Sequence, residues 1–133
     1  MTVTVHDFTS QRTILLTTFK RDGSPVGTPV NIAVEGDHGY IRTFDQAWKA
    51  KRMRNNPHVE IAPSTAGGKP TGDAVRARVA LVDGDEARRA AKLLARKHPF
   101  LQGVAVPFFH RLKHYRTLHY RVRLVGQPAG PLA

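Results

Sequence analysis

The residues best suited to chemistry cluster in RTFDQAWKAKRMR, residues 42–54. Arg42, Lys49, Lys51, Arg52 and Arg54 stand there against one acid, Asp45. Helical spacing places Lys49 and Arg52, three residues apart, on a shared face. Thr43 sits near the end of the strand that precedes the helix. A phosphate at that strand end would accept hydrogen bonds from Thr43, from the two cations and from the free N–H groups of the first helical turn. The same residues also read as a solvated basic helix face.

Other candidates are less sharply defined. Pro25, Pro29 and Asn31 lie on one strand, where proline relieves part of the backbone of ladder bonding. Such a strand can present amides and carbonyls to a flat heterocycle, or can simply be a protected edge. Trp48 can pack on a planar ring, line a subunit contact or fill the core, and Phe44 has the same options. GGK at 67–69 lacks the spacing of a phosphate-binding loop, so Gly67, Gly68 and Gly72 read as a turn-rich loop from which Lys69 can meet an anionic tail. His110 and His114 have helical i,i+4 spacing, but no carboxylate follows Glu86 and cysteine is absent. No metal site is expected from them; they read as surface residues or neighbours of a ligand tail. Neither a Ser/His/Asp order nor a carboxylate pair is distinguishable.

These residues are carried by short elements. Ile14–Phe19 reads as a strand ending at the turn signal Asp22-Gly23, followed by strands at 26–35 and 40–44. Residues 45–56 fit a helix with Asp45 as N-cap and Asn56-Pro57 as its stop. Val59–Ala62 and Val75–Val82 are strands; in the second, Val75, Ala77, Val79 and Leu81 face opposite to Arg76 and Arg78. Asp83 and Glu86 match a capping box for a helix with the stripe Ala87, Ala90, Ala91, Leu94 and Ala95. A third helix can start at Pro107, and the last strand runs from Leu118. Six strands and two or three short helices without a strand–helix–strand repeat predict a mainly β fold. A small antiparallel barrel satisfies this, because closure removes exposed edges. Such a barrel has little interior room, so a ligand would sit outside it, in a groove completed by a second subunit.

Composition narrows the class. The chain has 133 residues, 41% hydrophobic and 23% charged, as expected of one globular domain over 1–133. With no cysteine, disulfides, thiolate metal sites and cysteine nucleophiles are excluded. No apolar run is long enough to span a bilayer and the start lacks a signal-peptide pattern, so a soluble cytoplasmic protein is expected. The net charge is +11, and residues 87–133 contribute 10 basic side chains and no acidic one. An anionic partner follows: a phosphorylated cofactor, nucleic acid or an acidic surface.

The run from Gly23 to Ser64 resembles the pyridoxamine 5'-phosphate oxidase-like, FMN-binding split barrels, and within them the branch using the deazaflavin coenzyme F420. The resemblance is carried by Gly23, Pro25, Pro29 and Val30, then Tyr40 and Thr43, then Lys49, Lys51, Arg52, Arg54, Asn56, Pro57 and Val59. It implies a six-stranded antiparallel Greek-key split β-barrel and a homodimer with the cofactor at its interface. It places Pro29, Val30 and Asn31 near the ring, while Trp48, also a candidate for ring packing, stands where such proteins often have a small or polar residue. Thr43, Lys49 and Arg52 become the phosphate ligands, with Arg42 and Lys51 as helpers and Arg54 facing away. The implied activity is F420-dependent hydride transfer to a small conjugated organic substrate, with no side-chain nucleophile. A polyglutamate tail on the deazaflavin would suit the basic last third. The alternatives are an FMN-dependent oxidoreductase or flavin-binding protein of the same fold, and a non-enzymatic basic barrel that binds nucleic acid or stores cofactor.

Overall fold

The computed structural model of the chain describes residues 3–99, 108, 111–113 and 115–126. A 3-10 turn at Val5–Phe8 leads into β1 (Thr13–Phe19), β2 (Pro25–Asn31), β3 (Ala33–Glu35) and β4 (His38–Phe44). Helix α1 (Trp48–Asn55), β5 (His58–Ser64), β6 (Val75–Val82), α2 (Gly84–Lys97) and β7 (Thr117–Leu124) follow. The strands form one seven-stranded antiparallel sheet in the order β2-β1-β5-β6-β7-β4-β3. The mainly β architecture agrees with the sequence reading.

The two edges of this sheet are consecutive in the chain. β2 pairs with β1, β3 pairs with β4, and Ile32 alone separates them. The strand expected over 26–35 is therefore one extended run that bends at Ile32 and changes partner. This gives seven strands where six were expected, and it brings the two ends of the sheet together through one continuous run of chain, as a barrel requires. The bend is held on both sides. Ile32 N–H donates to the Arg12 carbonyl at 3.3 Å, and the Ile32 carbonyl accepts from His98 Nε2 at 3.2 Å. Gly39 makes room for it: a Cβ there would stand 2.9 Å from Ile32 Cδ1.

Strand alternation fills the barrel with Ile14, Leu16, Ile41, Ile61 and Val122, among others. Each such side chain contributes about 1.5–3 kcal/mol when fully buried. Outside the barrel, Ala90 and Leu94 of α2 pack on Ala33, Tyr40 and Val82, using the stripe read from the sequence. Leu81 has the parity of Val79 but is 60% exposed, whereas Val82, on the opposite face, is buried against α2.

Both helix starts differ from expectation. The N-cap of α1 is Ala47, not Asp45. Asp45 is instead tied to Arg116: its N–H donates to the Arg116 carbonyl at 2.9 Å and its Oδ1 accepts the Arg116 N–H at 3.1 Å. In α2, Asp83 is the N-cap but its side chain makes no capping hydrogen bond. Glu86 accepts from Tyr40 Oη at 2.9 Å and from Arg121 at 2.7 and 2.8 Å, charge-assisted bonds that outcompete a capping box. Burial by itself pushes the Glu86 carboxyl up, but the bonds from Arg121 and Tyr40 outweigh it and hold the group below the usual range.

Of the helix expected from Pro107, Phe108, Arg111 and Leu112 are described and helical; His110 and His114 lie outside the described residues. Among the described residues no helix is long and apolar enough to cross a membrane.

Candidate functional site

A groove of about 1470 Å³ runs between α1, the turn after β1 and the start of β2. Lys49, Lys51 and Arg52 line it from the helix, and Lys20 and Arg21 from the turn. No carboxylate is among the described residues that line it. An apolar wall comes from Phe19, Val26 and a stacked pair, Phe44 on Tyr115, whose ring centroids are 4.4 Å apart at 12°.

The helix presents its cations as the i,i+3 spacing requires. Lys49 is partly desolvated, and burial, aided by the charge of Arg52, lowers its pKa below the usual lysine value. A partly buried cation beside a second cation, with no acid among the described residues of the same groove, is a site at which an anion recovers lost solvation. Arg52 has a structural duty as well. Its Nε donates to Thr18 Oγ1 at 2.6 Å, and Thr18 is fully buried at the inner end of β1. That bond fixes the guanidinium against the barrel and orients the rest of its fork. Lys51 lies over the Trp48 ring, Nζ 4.5 Å from the centroid, and Trp48 itself is 72% exposed at the groove. Trp48 is therefore not a core residue.

The nine candidate site residues divide. Trp48, Lys49, Lys51 and Arg52 line the groove. Thr43 lies just behind it, 4% exposed, at an inward position of β4 in line with Ile41, and its Oγ1 has no hydrogen-bond partner among the described residues. The others stand apart. Val30 packs in the barrel core, and Asn31 Nδ2 donates to the Arg12 carbonyl at 3.3 Å. Pro29 is exposed beneath the glycine loop: a Cβ on Gly68, where φ is +95°, would stand 3.4 Å from Pro29 Cδ. Arg42 is on the outer face of β4, its Nε 3.0 Å from His119 Nε2, and burial lowers its pKa. Arg54 is exposed and does not line the groove, and neither does Lys69.

Sequence reasoning missed Lys20, Arg21, Thr18, Thr28 and the Phe44–Tyr115 stack. A partial signal existed for Thr28. Val26, Thr28 and Val30 alternate on one face of β2, and a hydroxyl interrupts two valines of nearly the same shape. Among the described residues no group of three or more His, Asp or Glu is placed to hold a metal ion.

No protein-family model matches the chain, and no curated protein is detectably similar to it. Solved structures do match. A FAD-binding protein of Mesorhizobium loti superposes with a TM-score of 0.61 at 17% identity, over 89% of this chain and 82% of that one. HutZ, the heme storage protein of Vibrio cholerae, gives 0.65 at 15% identity, over 92% and 89%. The fold is that of the pyridoxamine 5'-phosphate oxidase-like split barrels. Atu2129 of Agrobacterium tumefaciens, a protein of unknown function, gives 0.62 at 21% identity over 91% of this chain. This split barrel spans about half the length of that protein, 53%. At these identities the likeness is one of fold, and activity has to be argued from the groove.

Proposed function

We propose that the groove binds a phosphorylated, planar redox cofactor of the flavin class, with the deazaflavin F420 as first choice, and that the protein is an oxidoreductase acting on a small conjugated substrate. The observation that carries this reading is the groove itself: five cations and no described acid beside an aromatic wall. Lys49 and Arg52 would hold the phosphate, with Lys51 as a helper. Thr43, whose buried hydroxyl has no described partner, is set one layer behind. Trp48 and the Phe44–Tyr115 pair would flank the planar part. In this reading Pro29, Val30, Asn31 and Arg42 act through the strands they stabilise.

A deazaflavin, when bound, supplies hydride chemistry toward an electron-poor carbon or conjugated double bond. The chain's own contribution is binding and orientation. The cations neutralise the anionic end, the Arg52–Thr18 bond keeps one of them from swinging, and the aromatic wall excludes water from one side of the groove. Similarity to a FAD-binding and a heme storage protein supports a redox cofactor as the ligand class. The choice of F420 over FMN rests on the motif resemblance and on the acid-free basic last third, which suits a polyglutamate tail. We also propose that the groove is completed by a second copy in a homodimer.

Calorimetric titration with F420 and FMN, followed by a substrate-reduction assay with whichever binds, tests this. Saturable F420 binding, abolished or weakened about tenfold or more by Lys49→Ala, is expected. Tight FMN binding without F420 binding moves the assignment to the flavin, and binding of neither removes it.

A further inference from the structure

Three inward-facing threonines gather at the end of the barrel nearest α1. Thr18 continues the row of Ile14 and Leu16, Thr28 that of Val30, and Thr43 that of Ile41. Only Thr18 is satisfied, by Arg52. The Oγ1 atoms of Thr28 and Thr43 are shut off from solvent and have no hydrogen-bond partner among the described residues. A buried hydroxyl without a partner is destabilising, and valine would fill either position with nearly the same shape. Thr28, unlike Thr43, lines the groove, on the strand that faces the cationic helix.

We infer that Thr28 is a ligand-contacting residue whose hydroxyl, turned toward the groove by rotation about χ1 when ligand binds, donates to an oxygen acceptor of the anionic ligand, and that it sets affinity together with Lys49 and Arg52. This rests on the reading of the groove as an anion site. Among the described strand residues that line the groove, Thr28 is the one whose side chain carries a neutral donor. It can discriminate between ligands of equal charge, because it rewards an acceptor at a defined depth, whereas lysine side chains follow charge wherever it lies. In the free protein none of the described residues meets its hydrogen bond. In the complex that bond is made, and the gain appears as affinity.

Thr28→Val and Thr28→Ser, compared with the unaltered protein, test the inference. The readouts are the thermal midpoint without ligand and calorimetric titration with F420, FMN and inorganic pyrophosphate. Thr28→Val should melt at the same temperature as the parent or higher, and bind at least one probe about tenfold more weakly. Thr28→Ser should retain binding. A lowered midpoint for unliganded Thr28→Val shows that the hydroxyl is already satisfied within the fold and overturns the inference. Parent-like affinity of Thr28→Val for every probe the parent binds overturns it equally. If the parent binds pyrophosphate but neither cofactor, the cofactor reading falls alone and Thr28 is judged on pyrophosphate. Binding of none of the three removes both.

Discussion

Lys49 and Arg52 share a helix face and a groove but differ in what the fold asks of them. Lys49 has a lowered pKa, caused by burial and by the neighbouring guanidinium, so it costs the free protein something to keep it charged. Lys49→Ala should therefore leave the thermal midpoint unchanged or raise it while weakening ligand binding. Arg52→Ala should do both kinds of damage, because Thr18, fully buried, loses its partner at 2.6 Å. A stability loss of about 1–3 kcal/mol is expected from denaturant unfolding of Arg52→Ala and none from Lys49→Ala. The same pKa direction gives a pH signature. An anion favours the charged lysine, so ligand binding should take up protons where free Lys49 begins to lose its own. Affinity should then fall as pH rises through that lowered value, before ordinary lysines titrate. Titration in buffers of different ionisation enthalpy measures the uptake, and Lys49→Arg should abolish it.

The element that decides the architecture is the strand 25–35, and its bend at Ile32 depends on a residue far away in sequence. His98 ends α2, is 7% exposed, and donates from Nε2 to the Ile32 carbonyl. Burial, the largest influence, lowers its pKa, and nearby Lys97 and Arg12 add to this against the raising effect of the hydrogen bond. The sign for stability follows. The unfolded histidine takes up its proton near pH 6.5, before the folded one does. Stability is therefore full above pH 6.5 and declines as pH falls toward and through the lowered folded value. Thermal midpoints between pH 7.5 and 5.5 should show this decline, and it should shrink in His98→Gln. His98→Ala leaves the buried Ile32 carbonyl without that donor and should cost about 1–3 kcal/mol. The pattern of α2 was legible from its alanines, and β6 and the turn at Asp22-Gly23 from alternation and turn chemistry. The bend was not. A seven-residue strand and a three-residue strand joined at one isoleucine look in sequence like one continuous apolar run, and only the change of pairing partner divides them.

At the scale of the molecule, charge is the property to test. The groove opens among five cations, and residues 87–133 add 10 more without an acid. Ligand affinity should fall with ionic strength, more steeply for F420 with its polyglutamate tail than for FMN, because each additional screened contact adds to the slope. Titrations at several salt concentrations read this directly; equal slopes would place the tail away from the basic surface. Sedimentation at micromolar concentration should give the mass of two chains, as a groove completed by a second copy requires.

From order along the chain alone came a mainly β architecture, the amphipathic face of α2 and the pairing of Lys49 with Arg52, since each depends on periodicity between near neighbours. Folding in three dimensions decided the rest. It carried Thr28 and the turn cations to the groove and left Arg42, Asn31 and Val30 outside it. It also took Asp45 and Glu86 away from helix capping to serve Arg116 and Arg121. Those outcomes depend on which strand lies beside which and on whether a stronger partner arrives from a distant segment. Such contacts join residues up to 77 positions apart, far beyond the reach of any local pattern.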